Sequence, residues 1–509
     1  MQLQLGRPFE SRTATVGLAF ASLFVAWRLA LVITRIWFSP LRHIPGPRLA
    51  AATSLWLYVE DNKPTIVKTT RRLHSQYGPL VRIAPNHVSI KDADTYLKTI
   101  YQQASHFNKD PAFYDTFANE DVNVFTVSDA VEHGYHRRLL SGGFARKKVL
   151  EFEPEIWKVV TRLMTLVDDE YASGRPVDLT KLCRSFALDV VSCYSFGESY
   201  GALWRPTLDE PLLAAFDRFG RASFLLMNFP TIRSLLQPIL IRLPSPVFQA
   251  IPSMAARVMS SLDRLENIEK GNFQPMLTSV KEAGLRQNTQ LSKKYLAANG
   301  MGSIVAGTDT TGFTLALGIW SIFMNDKIRQ RLHSDLKEVW HDRHNPPGLR
   351  NLEAMPYLQA CVRESLRFAT PIRGRLPRLV PPEGMTLKFP STGDKEYFLP
   401  GGTSVSSSVY LMHYDESVYD DPETFDPERW LVKDPDLLHR RERQLVPFSS
   451  GSRICIGLNI ATAELYVCIA TIIRWYKAKE IVDRELVTEE QFTALVPGGL
   501  RAILARIDD

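Results

Sequence analysis

Phe448-Ser449-Ser450-Gly451-Ser452-Arg453-Ile454-Cys455-Ile456-Gly457 is the stretch on which the reading of this chain turns. Its cysteine stands in a loop composition of glycine, serine and arginine. The other four, Cys183, Cys193, Cys361 and Cys468, lie in apolar helical patterns, where a thiol behaves as a small core residue. Five cysteines with no CxxC pair and no regular spacing argue against a disulfide framework and for a reducing compartment. A cysteine acting as a metal ligand must be a thiolate, shielded from water, and glycines beside it let backbone N–H groups approach the sulfur. The plain alternative is a free cysteine in a glycine-rich turn.

Working outward, the composition is that of an ordinary globular protein with a large core: 509 residues, 45% hydrophobic and 23% charged. The formal charge of +6, from 61 basic and 55 acidic residues, is a mild excess that suits an anionic membrane surface or an acidic protein partner. No lysine- and arginine-rich stripe interleaved with aromatics appears, so nucleic acid is set aside as a partner.

Val16 to Phe38 is a stretch of mostly Ala, Leu, Val, Ile and Phe. It is long enough to cross a hydrocarbon core of about 30 Å. Arg28, near its middle, costs roughly 2.5–3.5 kcal/mol on insertion scales, reduced by snorkelling. An interfacial helix is one alternative; a signal peptide is disfavoured because no small-residue cleavage site follows. Arg35 near the end of the apolar run, with Arg42 and Arg48 after it, places the remainder on the cytosolic side. The expected division is therefore an anchor over residues 1–39, with its helix at about 16–38, and one large body over 40–509. Pro40, Pro45 and Pro47 form a stiff elbow between them.

In the body, 150–340 carries the 3.6-residue apolar period of amphipathic helices, while Leu80–Ile90 and Met385–Val405 are strand-like. Phe224 to Pro252 is very apolar and broken by prolines. It is expected to be a pair of core helices or a lid dipping into a bilayer.

Four further motifs accompany the cysteine loop. Glu364-Ser365-Leu366-Arg367 places an acid and a base on one helix face. Phe425-Asp426-Pro427-Glu428-Arg429-Trp430 follows downstream. Ala306-Gly307-Thr308-Asp309-Thr310-Thr311 lies inside a long apolar helix predicted from about Tyr295 to Met324. Its acid and alcohols are groups that can relay protons through water, or can back-bond to helix carbonyls and bend the helix. His133 and Arg137, in Glu132-His133-Gly134-Tyr135-His136-Arg137-Arg138, are four apart on another helix face.

These motifs, taken in their order along the chain, resemble the cytochrome P450 superfamily. The loop matches all five fixed positions of Phe-x-x-Gly-x-Arg-x-Cys-x-Gly, including Phe448 and Gly457, and the resemblance runs from the anchor to the loop. It implies a mainly α fold with small β-sheets in a single large domain. It implies heme b with Cys455 as the axial iron ligand, a thiolate that donates electron density and favours O–O cleavage. Arg453, Arg137, His133 and Arg378 (in Arg375-Leu376-Pro377-Arg378) match positions that contact heme propionates. Glu364, Arg367 and Arg429 match a buried ion triad, with Trp430 where the family has Phe. Asp309 and Thr310 match the pair that delivers protons during oxygen activation, with Ala306 and Gly307 leaving room for O2 and substrate.

The implied activity is insertion of one oxygen atom from O2 into an apolar small molecule. Electrons would come from NADPH through a reductase, with cytochrome b5 as a second donor. The implied location is the endoplasmic reticulum membrane, single-pass, with the catalytic body in the cytosol. Phe113, Phe117, Met301, Ile304, Val305, Ala306, Ile372 and Val496 align with substrate-pocket positions. Gly374-Arg375-Leu376-Pro377-Arg378 and the run after Cys455 resemble fungal members related to trichodiene oxygenases, which decorate secondary metabolites. Arg137, Arg138, Arg146, Lys147 and Lys148, with Arg440, Arg441 and Arg443, are expected to make a basic docking face for an acidic reductase. A heme sensor or carrier would not need the Asp309–Thr310 pair. A peroxide isomerase or dehydratase would not need a reductase.

Overall fold

A 32-residue helix, Lys293–Met324, organises the body. In the computed structural model the described residues are 8–102, 106–118, 121–205, 207–240, 246–265, 273–393, 395–490 and 492–507. Side chains at 8–14, 221–222, 237–240 and 246–251 lie outside that description. The chain opens with α1 (Pro8–Ile33), and the helices that build the body around the site are α2 (Ala130–Ser141), α3 (Arg146–Ser173), α4 (Leu179–Phe196), α5 (Pro211–Asn228), α6 (Lys293–Met324), α7 (Asp326–Val339), α8 (Pro356–Ala369) and α9 (Leu458–Trp475).

The sequence explains the start and stop of α6. Ser292 caps it by accepting the N–H of Tyr295, and Asn325 ends it while capping α7 through the N–H groups of Lys327 and Ile328. From Thr311 to Phe323 every residue of α6 is buried, the pattern of a helix surrounded by protein. Its principal partner is α4, and glycines let the two backbones close on one another. A Cβ at Gly300, Gly307 or Gly312 would stand 2.7 Å from Phe196, 2.9 Å from Val191 and 2.7 Å from the Cα of Arg184 respectively. Gly307 is therefore a packing residue against α4, where the sequence reading made it room for O2.

The strands are short. β1 (Leu80–Ala84), β2 (His87–Ile90), β3 (Asn108–Lys109), β5 (Arg378–Leu379) and β8 (Ser404–Ser406) form one sheet in the order β1-β2-β8-β5-β3. Only the β2–β8 pairing is parallel. β4 (Val177–Asp178), β9 (Tyr476–Ile481) and β10 (Arg501–Arg506) make a second sheet, and β6 (Met385–Lys388) with β7 (Glu396–Leu399) a hairpin. The strand-like runs expected near both ends of the body are thus observed.

α1 continues through a wide turn at Thr34–Phe38, and Thr15–Phe38 is long and apolar enough to cross a membrane, with mean hydropathy 2.1 and none of it buried. α9 is also long and apolar, yet 78% of it is buried, which makes it a core helix. Of the apolar stretch 224–252, α5 closes at Asn228, helices follow over Pro230–Leu240 and Pro246–Leu265, and residues 241–245 lie outside the described set.

Candidate active site

Cys455 is the single exposed cysteine of the five. Its loop is folded tightly: the Cys455 N–H donates to the Phe448 carbonyl at 2.9 Å, and Ser449 and Gly451 both adopt positive φ, +63° and +72°. At Gly451 a Cβ would collide with the carbonyls of Tyr101 and Gln102, so only glycine fits. The sulfur lies just before the N-terminus of α9, where the helix dipole favours an anion. Although the residue is open to solvent, the protein atoms packed around its sulfur desolvate the thiol and raise its pKa, while the Gly457 N–H and the Arg137 guanidinium lower it.

Cations gather beside this thiol. Arg137 on α2 donates Nη1 to the Ile454 carbonyl at 2.5 Å. Arg453 donates to the carbonyls of Val127 and Ser128 at 2.8 and 2.7 Å. Arg378 on β5 donates to the Tyr114 hydroxyl at 2.7 Å. Lys109, absent from the sequence reading, pairs in register with Arg378 across β3 and β5. Its buried ammonium donates to the Phe125 carbonyl and lies 4.6 Å from the centre of the Tyr114 ring. His133, four residues before Arg137, is buried in the same group.

Like charges perturb one another here. Burial, and then Arg378, Arg453 and Arg137, hold Lys109 well below its ordinary value. Burial and the same cations push His133 down to about 3, and burial with Arg378 brings Arg453 to about 10. A cluster of buried positive charges calls for an anion to compensate it. The carboxylates of heme b beside a thiolate iron ligand match that demand.

On α6, Val305 and Ala306 are exposed in mid-helix, Val305 at 41%, between the buried Ile304 and Thr308. Thr310 is one turn on, and its Oγ1 donates to the Ala306 carbonyl at 2.6 Å. Asp309 does not sit beside Thr310. Consecutive helical residues diverge by about 100°, so the two cannot share a face. Asp309 instead lies against α4, ion-paired to Arg184 at 2.7 Å. Ile304 also turns away, packing beside Phe196, Met254 and Val258, and Met301 packs on the main core.

Phe113 and Phe117 join a cluster of rings with Phe125 and Phe492, the Phe117–Phe492 centroids lying 4.6 Å apart. Phe492 comes from the C-terminal loop and was missed. Val496, which the family resemblance implied as a pocket residue, is buried in the main core, and Ile372 is half-buried. A chain reversal with no regular structure offers no period from which to tell 492 from 496.

The ion network expected behind the loop is present. Glu364 and Arg367 are fully buried. Glu364 receives Arg367 Nη2 at 2.7 Å, Arg429 Nε at 3.1 Å and the Trp430 indole N–H at 3.0 Å. Trp430, where the resembling family has Phe, thus adds a donor to the carboxylate. The basic face is only partly as expected. Arg441 is buried and donates to the Arg429 and Val418 carbonyls, because those carbonyls would otherwise be stranded inside the protein. Arg443 pairs with Asp94 and Arg146 with Glu353, leaving Arg138, Lys147 and Arg440 among the exposed residues of that group.

The sequence profile of the family described as Cytochrome P450 matches residues 45–501. The chain belongs to the cytochrome P450 family. Among curated P450 relatives, it is 31% identical to cytochrome P450 monooxygenase macH of Penicillium terrestre, covering 89% of this chain and 90% of the relative. It is 29% identical to the monooxygenase BOT1 of Botryotinia fuckeliana, with 90% and 89% covered, and 29% identical to aflU of Aspergillus parasiticus, with 87% and 88% covered. This P450 is a heme b-dependent monooxygenase that draws electrons from NADPH through a reductase.

Proposed function

We propose that this P450 binds heme through Cys455 and oxygenates an apolar small molecule of fungal secondary metabolism. The cluster of Arg137, His133, Arg378 and Arg453 around the thiol carries the reading, with Lys109 joining them as counter-charge for the propionates. When bound, the heme supplies the site for O2 activation. The protein's own part is to hold the sulfur as a thiolate at the start of α9, to exclude water with the rings of Phe113, Phe117 and Phe492, and to offer Thr310 as a proton-passing hydroxyl. Asp309 serves as the buried acid behind that hydroxyl, reached through water once Arg184 shares its charge elsewhere.

The exposed, apolar Thr15–Phe38 supports anchoring of residues 1–39 in the endoplasmic reticulum membrane, leaving 40–509 in the cytosol. Arg138, Lys147 and Arg440 form the basic surface on which an acidic reductase, and cytochrome b5 after it, would dock.

The test compares the parent and Cys455→Ser. The parent should give the ferrous–CO Soret band of thiolate ligation, and should form product with NADPH and reductase. Cys455→Ser should lose that band. A normal band in the mutant, or equal turnover with peroxide and no reductase, would sink the reading.

A further inference from the structure

Val446 opens the segment Val446-Pro447-Phe448 that leads into the cysteine loop, and its N–H donates to Nε2 of His413 at 3.0 Å. Its carbonyl accepts the Ser449 N–H at 2.9 Å, and the next carbonyl but one, Phe448, accepts that of Cys455. Pro447 has no N–H. Val446 is therefore the last main-chain donor before Phe448 through which the body can hold this segment.

His413 is fully buried and bonded on both ring nitrogens. Nδ1 lies 2.8 Å from the Thr370 hydroxyl, which in turn donates to the Arg367 carbonyl at 2.7 Å. Because Nε2 accepts, Nδ1 carries the proton, so the chain runs in one direction: Val446 N–H, imidazole, Thr370, Arg367 carbonyl. Arg367 closes the circuit by donating Nη1 to the His413 carbonyl at 3.0 Å. Thr370, which ends α8, is held at a left-handed φ of +39°. Burial, and then the Arg367 charge, push His413 down to about 3, so the acceptor lone pair persists at neutral pH.

We propose that His413 is a positioning residue of the thiolate loop, fixing the segment that enters it to the Glu364–Arg367–Arg429 network. This rests on Cys455 as the iron ligand. The network by itself reaches the segment Asp420–Trp430, where Arg429 donates to the carbonyls of Asp420, Asp421 and Thr424; the hydrogen bond from Val446 carries its rigidity to the sulfur, whose position must be held to within about 0.5 Å to keep ligating geometry.

Three full-length holoprotein variants test this. His413→Gln keeps an acceptor near the place of Nε2, His413→Phe keeps a ring without one, and Thr370→Val removes the hydroxyl that fixes the tautomer. The readout is the rate at which the thiolate-type ferrous–CO band decays in mild urea, with heme content and the far-UV unfolding midpoint measured alongside. His413→Phe should lose the band about ten-fold faster than the parent, the scale of one buried hydrogen bond lost, and Thr370→Val several-fold faster. His413→Gln should decay at nearly the parent rate. In each case loss of the band should precede loss of helix signal, which a purely structural role would not produce. Parent-like decay in His413→Phe, or His413→Gln as impaired as Phe, overturns the proposal. Should neither His413 variant yield holoprotein, Thr370→Val decides, and parent-like decay there overturns it. Failure of the underlying reading is separately visible as a thiolate band that survives Cys455→Ser.

Discussion

Arg184, on α4, holds Asp309, on α6, by two hydrogen bonds to one carboxylate oxygen, Nε at 3.0 Å and Nη2 at 2.7 Å. The same Nη2 donates to Asp217 on α5 at 2.8 Å. Burial raises the Asp309 pKa and Arg184 opposes that shift. Arg184→Ala should destabilise the protein by about 3–5 kcal/mol, since it strands a buried carboxylate. Thermal unfolding followed by heme absorbance measures this; an unchanged midpoint would mean that water already satisfies Asp309.

Thr310 is the group on this helix whose hydroxyl lies beside the exposed Ala306. Thr310→Ala should bind heme and substrate normally, consume NADPH, and release more hydrogen peroxide and less product. Asp309→Asn should slow turnover instead. General acid–base groups typically contribute about 10²–10⁴-fold, so a relay partly rescued by water still leaves a visible deficit. Equal product per NADPH oxidised in Thr310→Ala and the parent would reduce the hydroxyl to a helix-bending role.

Glu364→Ala should give little folded holoprotein. It removes the common acceptor of Arg367, Arg429 and Trp430, all buried, at a cost of about 3–5 kcal/mol. Parent-like yield with full heme content contradicts this.

Glu464 on α9 supplies a pH dependence with a definite sign. It is 1% exposed, its Oε2 has no hydrogen-bond partner, and burial holds its pKa well above 4.5. A raised folded pKa means the native state keeps a proton that the unfolded chain releases. Stability from this group is whole below pH 4.5 and declines as pH rises toward the folded value. Glu464→Gln, which has no proton to lose, should therefore gain on the parent by about 1.4 kcal/mol per pH unit across that window. Parallel stability–pH curves for the two proteins would show that Glu464 is ionised.

Deleting residues 1–39 should release the protein from membranes while leaving heme binding intact. The cut removes exposed side chains such as Trp37 and Phe38, and spares Leu41 and Ile44, which are buried in the core beside β1 and β2. Sedimentation of the truncated protein with membranes as before would move the anchor to the apolar 224–252.

Local spacing made much of this legible in advance. The loop motif isolates Cys455 because thiolate ligation needs glycines and an arginine within a few residues. Glu364 and Arg367 announce themselves because three residues bring two side chains onto one helix face. Long apolar periods likewise locate α6, whose start at Lys293 differs from the expected Tyr295 only by the extent of its cap. Gly307 misled the reading because a glycine in sequence does not reveal which helix leans on it; Val191 does.

The sequence alone determined the helical body, the apolar N-terminal stretch, the family and the cysteine of the iron site, all of which depend on residues close together along the chain. Only the tertiary structure decided that Asp309 faces Arg184 instead of Thr310, that Arg441 is buried, that Phe492 closes the ring cluster, and that Lys109 and His413 belong to the site. Each of these depends on contacts between elements tens to hundreds of residues apart, and burial or charge created at such contacts leaves no periodic trace in the sequence.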